Sequence, residues 1–116
     1  MEYQLFIVKD SFKEVINENL IRLLSSFSHD QYYEIQINKI FDYLTLNSIK
    51  ENLIKKGNNK KLIFQEDKII FQTPFMEEND EIYIKEGKIH LKINDSSSFL
   101  KKMIINSVKN IKFVKI

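Results

Sequence analysis

The sequence predicts a single α/β domain over residues 1–116, with a mixed central β-sheet and helices packed against it. Three observations predict it. The chain opens on a nearly continuous apolar run that leads at once into apolar residues at helical spacing, a strand feeding a helix. Its second half holds two pairs of short apolar strands, each pair joined by a hairpin-length connection. No internal repeat or long linker divides the chain, and 116 residues suit one core of ordinary size.

Tyr3-Gln4-Leu5-Phe6-Ile7-Val8 reads as a buried strand. Ser11 with Glu14 three residues later fits a capping box, so a helix is expected from this point. Phe12, Val15, Ile16, Leu20, Leu23, Leu24 and Phe27 then recur on its apolar stripe. Tyr33, Ile35 and Ile37 alternate with Glu34 and Gln36, which predicts a short strand. Asn38 is placed to cap a second helix bearing Ile40, Phe41, Tyr43 and Leu44. Asn47 or Ser48 would cap a third, with Ile49, Leu53 and Ile54, ending at Gly57 and a loop from Asn58 to Lys61.

Leu62-Ile63-Phe64 and Ile69-Ile70-Phe71 predict a first hairpin. Pro74 and the acidic run Glu77-Glu78-Asn79-Asp80-Glu81 fall in a loop. Ile82 to Lys85 and Lys88 to Ile93 flank Glu86-Gly87, the strongest hairpin signal in the chain. Ile89, Leu91 and Ile93 should face inward there, and Lys88, His90 and Lys92 outward. Ser96 to Ser98 supply caps for a helix with Phe99, Leu100, Met103, Ile104 and Val108. Ile111 to Ile116 reads as a closing strand.

The composition narrows the function. There is no cysteine, which excludes disulfides and thiolate metal sites and suits a reducing cytoplasm. No stretch approaches the ~20 apolar residues of a membrane span, and no signal peptide is expected. Eighteen basic and sixteen acidic residues give a formal charge of +2, and Arg22 is the single arginine. That balance argues against direct nucleic-acid binding, for which arginine supplies the bidentate contacts. The lysines at 55–61 and 109–115 would serve such a role only if they converged on one face.

Catalysis is not expected either. The histidines are His29, in a polar loop beside Asp30, and His90, between lysines on a hairpin face. Both read as surface residues. No glycine-rich phosphate loop or nucleophile-elbow motif occurs, and the serine cluster reads as a helix cap. The acidic run lacks the spacing and glycine of a calcium loop. No cofactor is expected, and a small monomeric protein-interaction domain fits this inventory best.

The segment Tyr3-Gln4-Leu5-Phe6-Ile7-Val8-Lys9-Asp10-Ser11-Phe12 resembles the opening of the SirA family, sporulation inhibitors of DNA replication in Bacillus and its relatives. Leu23-Leu24-Ser25-Ser26-Phe27 resembles its continuation. Gln31-Tyr32-Tyr33-Glu34-Ile35 with Lys39-Ile40-Phe41-Asp42-Tyr43-Leu44-Thr45 is similar to a second block of that family. Tyr83 to Leu91 is similar to its hairpin, and a helix and final strand follow in both. Residues 46–76 do not align.

The resemblance implies a regulatory protein that binds domain I of the replication initiator DnaA and restrains initiation, without a cofactor. It implies partner contacts at Phe12 and Tyr43, which stand at matching aromatic positions. Two further contact positions depart from the family: Ile16 replaces an aromatic and Ile40 a glutamine. Spacing alone favours a core stripe for Phe12 and Tyr43, and the resemblance brings a contact patch level with it. An unrelated inhibitor of phage-encoded or antitoxin-like type, with another protein target, is the alternative.

Overall fold

The first apolar run forms strand β1, Glu2–Val8, and nearly everything else is organised around it. The structure, a computed structural model, describes residues 1–25, 31–58, 62–72, 78–95 and 98–116, without the side chains of residues 25, 31–34 and 36. The expectations for His29, Asp30, Lys60, Lys61, Pro74, Glu77, Ser96 and Ser97 lie outside the described residues.

After β1 come a 3-10 turn, Asp10–Phe12, and helices α1, Glu18–Ser25, and α2, Gln31–Ile40. Strand β2, Phe41–Asp42, and helix α3, Leu46–Lys55, follow. Then four strands run in sequence: β3, Leu62–Phe64; β4, Lys68–Phe71; β5, Asp80–Lys85; and β6, Lys88–Lys92. Helix α4, Phe99–Ser107, and strand β7, Ile111–Lys115, close the chain.

The seven strands make one sheet in the order β2-β1-β6-β5-β4-β3, with β7 on the other edge of β1. The α/β class and the single central sheet with packed helices hold. The mixed strand direction is corrected, because every described pairing is antiparallel. Both predicted hairpins form, and chain reversal through short turns makes their strands antiparallel. At the second turn Glu86 and Gly87 both take positive φ, 54° and 75°, the geometry that matches strand twist in a two-residue hairpin.

Alternation along β1 divides two cores. Tyr3, Leu5 and Ile7 face α3 and α4, where Leu46, Ile49, Leu53, Leu100 and Ile104 complete the larger core. Phe6 and Val8 face the other way, toward Ile16, Ile21 and Val114 with Leu20, Leu24, Ile37 and Ile40 around them. Among the described residues, both faces of the sheet are thus covered only near β1 and β7.

Three helix expectations are corrected. Ser11 caps no α-helix. The chain makes a 3-10 turn there, held by Asp10, whose carboxylate accepts from Asn110 Nδ2 at 2.7 Å and pairs with Lys109 at 3.3 Å. The α-helix starts at Glu18, with Asn17 Oδ1 accepting from Leu20 N at 2.9 Å. Residues 33–37 are helix, not strand: Ile37 and Ile40 pack inward at i, i+3 spacing while Ile35 is 60% exposed. Asn38 lies inside that helix, and Phe41 leaves it to pair with Val8. The third helix is capped earlier than expected, by Thr45 Oγ1 accepting from Ser48 N at 3.0 Å, and Gly57 ends it with φ 78°. Ser98 caps α4 as expected, and among the described residues no helix is long and apolar enough to cross a membrane.

Candidate protein-binding site

The site follows from a division of one strand edge. On one side β1 pairs continuously with β7, Tyr3 to Ile7 against Lys115 to Ile111. On the other side its first part, Glu2 to Gln4, pairs with β6, and its end, Ile7 and Val8, pairs with β2. Leu5 and Phe6 fall in the gap between these partners. The tip of the β5–β6 hairpin diverges from β1 there, and the chain crosses from β2 to α3 above it.

Two shallow clefts open along this gap. One, about 210 Å³, is lined by Leu5, Phe6, Ile37, Phe41 and the hairpin residues Gly87 to Ile89. The other, about 340 Å³, lies over Leu46, Ile84 and Ile89. Tyr43, Leu44, Gly87 and Ile89 border both. Tyr43 stands between them and is 91% exposed, the most exposed large hydrophobic side chain among the described residues. Tyr43 and Leu44 lie between the two-residue β2 and the Thr45 cap, outside any regular element.

The four residues named from the sequence do not form one surface. Ile16 is only 6% exposed and packs in the second core. Phe12 and Ile40 are half-buried against the same core. The turn at 10–12 and helix α2 both rest on the β1–β7 face, which draws these three together beneath the surface. Ile37, and not Ile40, lines the cleft beside Tyr43. Sequence reading missed Ile37, Leu44 and Ile89 as cleft residues, since their position depends on the split of the β1 edge. Gly87 carried a signal through its hairpin turn.

Among the described residues the buried polar side chains are Asp80, His90 and Ser98. No three His, Cys, Asp or Glu side chains cluster as metal ligands there. Ser98 Oγ donates to Asp80 Oδ2 at 2.7 Å, but the same hydroxyl accepts from Lys101 N as a helix cap. His90 is on the opposite face of the sheet from this pair, as the register of β5 and β6 requires. Lys109 and Lys112 do not join Lys55 and Lys56: Lys109 pairs with Asp10, and Lys112, opposite Phe6, is on the face away from α3, whereas Lys115, opposite Tyr3, is on the α3 face.

His90 is a correction of its own. It was expected at the surface between two lysines, yet it is 9% exposed and stacked on Tyr83 at 5.4 Å, 18° between rings. Burial, then the charge of Lys85, lowers its pKa below 6.5; Glu2 raises it by less than Lys85 lowers it, and Lys88 and Glu86 act more weakly in opposite directions. The fold therefore favours neutral His90. Its contribution is complete above about pH 6.5, and is lost as pH falls from there to the folded pKa, because the unfolded chain then binds more protons. The melting temperature should fall between about pH 7 and pH 5, and His90→Gln should flatten that slope. Asp10, whose pKa is lowered from 3.8 by Asn110 and Lys109, acts only at more acid pH.

A scan against protein-family models and searches of curated proteins and of solved structures return no match for this chain.

Proposed function

We propose that this chain is a non-enzymatic regulatory protein of the cytoplasm that binds a protein partner through Tyr43. The partner is domain I of the initiator DnaA, and binding restrains replication initiation during sporulation. The chain acts as a monomer and needs no cofactor. The observation that carries the reading is the exposure of Tyr43 over two apolar clefts, at a residue that the SirA resemblance implies as a contact. An aromatic beside a concave apolar surface is the usual anchor of a small interface.

Half-exposed Phe12 remains available for a contact, whereas buried Ile16 does not. Ile16 acts instead by holding the turn that presents Phe12. The burial of Ile16 also favours a second reading, the same kind of site on an inhibitor with a different protein target.

Calorimetric titration against purified DnaA domain I distinguishes these readings. Wild type should bind saturably, and Tyr43→Ala should weaken binding about 30-fold with an unchanged melting temperature. Failure of the folded wild type to bind removes DnaA as the partner. Binding unchanged in Tyr43→Ala removes this site.

A further inference from the structure

The open half of the sheet carries a feature that Tyr43 and its clefts do not use. Beyond β1, the face away from α3 and α4 is formed by alternate residues of β6, β5, β4 and β3, and none of them belongs to the second core. The α1–α2 layer therefore stops at β1 and β2. On this face Tyr83 is paired with His90 on one side and with Lys68 on the other. Its ring lies on the imidazole, which leaves the second ring face on the Lys68 side. One step toward the hairpin tip, Lys85 is directly opposite Lys88.

That arrangement works against stability. Like charges placed directly across an antiparallel pair repel, and a carboxylate at either position would relieve them. Lys68, Lys85 and Lys88 have no ion-pair partner among the described residues. Toward the other end of the face Glu78 pairs with Lys92 and Glu2 accepts from the Tyr83 hydroxyl, while Glu86 stands in the turn between Lys85 and Lys88 without an ion pair among the described residues. A local violation of good pairing marks a functional site when a ligand would satisfy it. Here the ligand must bring negative charge beside a flat ring.

We propose that this face binds single-stranded nucleic acid, with a base stacked on Tyr83 and backbone phosphates on Lys68, Lys85 and Lys88. A flat antiparallel sheet with a central aromatic and flanking cations is a standard platform for unpaired bases. A duplex keeps its bases stacked on each other and offers the ring nothing. The near-neutral formal charge of the whole chain hides this corner, because most of its sixteen acidic residues lie elsewhere.

Fluorescence anisotropy with labelled oligothymidylate tests the proposal on the intact chain. Wild type should bind at low salt, and log affinity should fall with log salt with a slope of about −2, as three phosphates on a single strand require. The variant Lys68→Gln/Lys85→Gln/Lys88→Gln should lose at least about ten-fold in affinity and most of the slope. Relief of the Lys85–Lys88 repulsion should leave its melting temperature equal or higher, so unfolding does not explain the loss. Tyr83→Leu should weaken binding at least about five-fold without changing the slope. The charge-matched variant Lys55→Gln/Lys56→Gln/Lys102→Gln should bind like wild type. No binding at low salt, equal loss in the charge-matched variant, or a duplex bound as tightly as the single strand would each overturn the proposal.

Discussion

Replacing Asp80 by alanine is expected to lower the free energy of unfolding by about 3–5 kcal/mol, the largest effect of any single polar substitution among the described residues. Asp80 is 2% exposed at the start of β5. Its Oδ1 accepts from the backbone N and the Nδ2 of Asn94, both at 2.9 Å, and its Oδ2 accepts from Ser98 Oγ at 2.7 Å. Ser98 in turn accepts from Lys101 N at the first turn of α4. One carboxylate thus joins the end of β6 to the N-cap of a helix that supplies Leu100 and Ile104 to the main core. Alanine removes three bonds to a charged acceptor and leaves their donors short of partners in a site that water reaches poorly. Asp80→Asn keeps the shape, but its amide NH2 would meet a serine oxygen already engaged by Lys101 N. It should cost less, about 1–2 kcal/mol. Urea unfolding checks both, with the midpoint lowered in the order wild type, Asn, Ala at constant slope. A loss under 1 kcal/mol for the alanine variant would show that this network does not hold α4.

Much of this architecture was legible because local chemistry and fold agree where the chain turns on itself. Glu86-Gly87 between two alternating strands demands a hairpin, and Ser98 before Leu100 and Ile104 demands a helix start. The failures share a cause. Tyr33, Ile35 and Ile37 alternate by coincidence, and packing of Ile37 with Ile40 decides the matter in favour of a helix. Phe12, Ile16 and Leu20 keep a spacing of four across the 3-10 turn because turn and helix face the same strands, so periodicity reports one helix where there are two pieces. Strand order is a long-range property: nothing near Glu2 to Val8 states that β6, β2 and β7 share its edges. The candidate site inherits that difficulty, since the clefts exist only because β6 and β2 divide one edge. Tyr43 and Ile16 look alike as aligned apolar positions, yet a two-residue strand sends one outward and a turn sends the other inward.

That contrast gives the second large expected effect. Ile16→Ala should cost about 2–4 kcal/mol, because it removes three carbons from a filled core beside Val8, Ile21, Phe41 and Val114. Tyr43→Ala should change stability by less than about 0.5 kcal/mol, since the side chain is almost wholly in water. Ile16→Val, which removes one methyl group, should cost about 1 kcal/mol. Binding to a partner should rank the variants in the opposite order, with Tyr43→Ala losing most. A variant that retains only about 2 kcal/mol of stability is still about 97% folded, so unfolding alone lowers its apparent affinity by a few per cent. A loss beyond about two-fold in Ile16→Ala, measured where the protein is folded, would therefore report displacement of the turn bearing Phe12. In that case Ile16→Val should recover most of the affinity as it recovers the melting temperature. If Ile16→Ala instead loses affinity while keeping its stability, Ile16 touches the partner directly, and the turn at 10–12 must open when the partner binds.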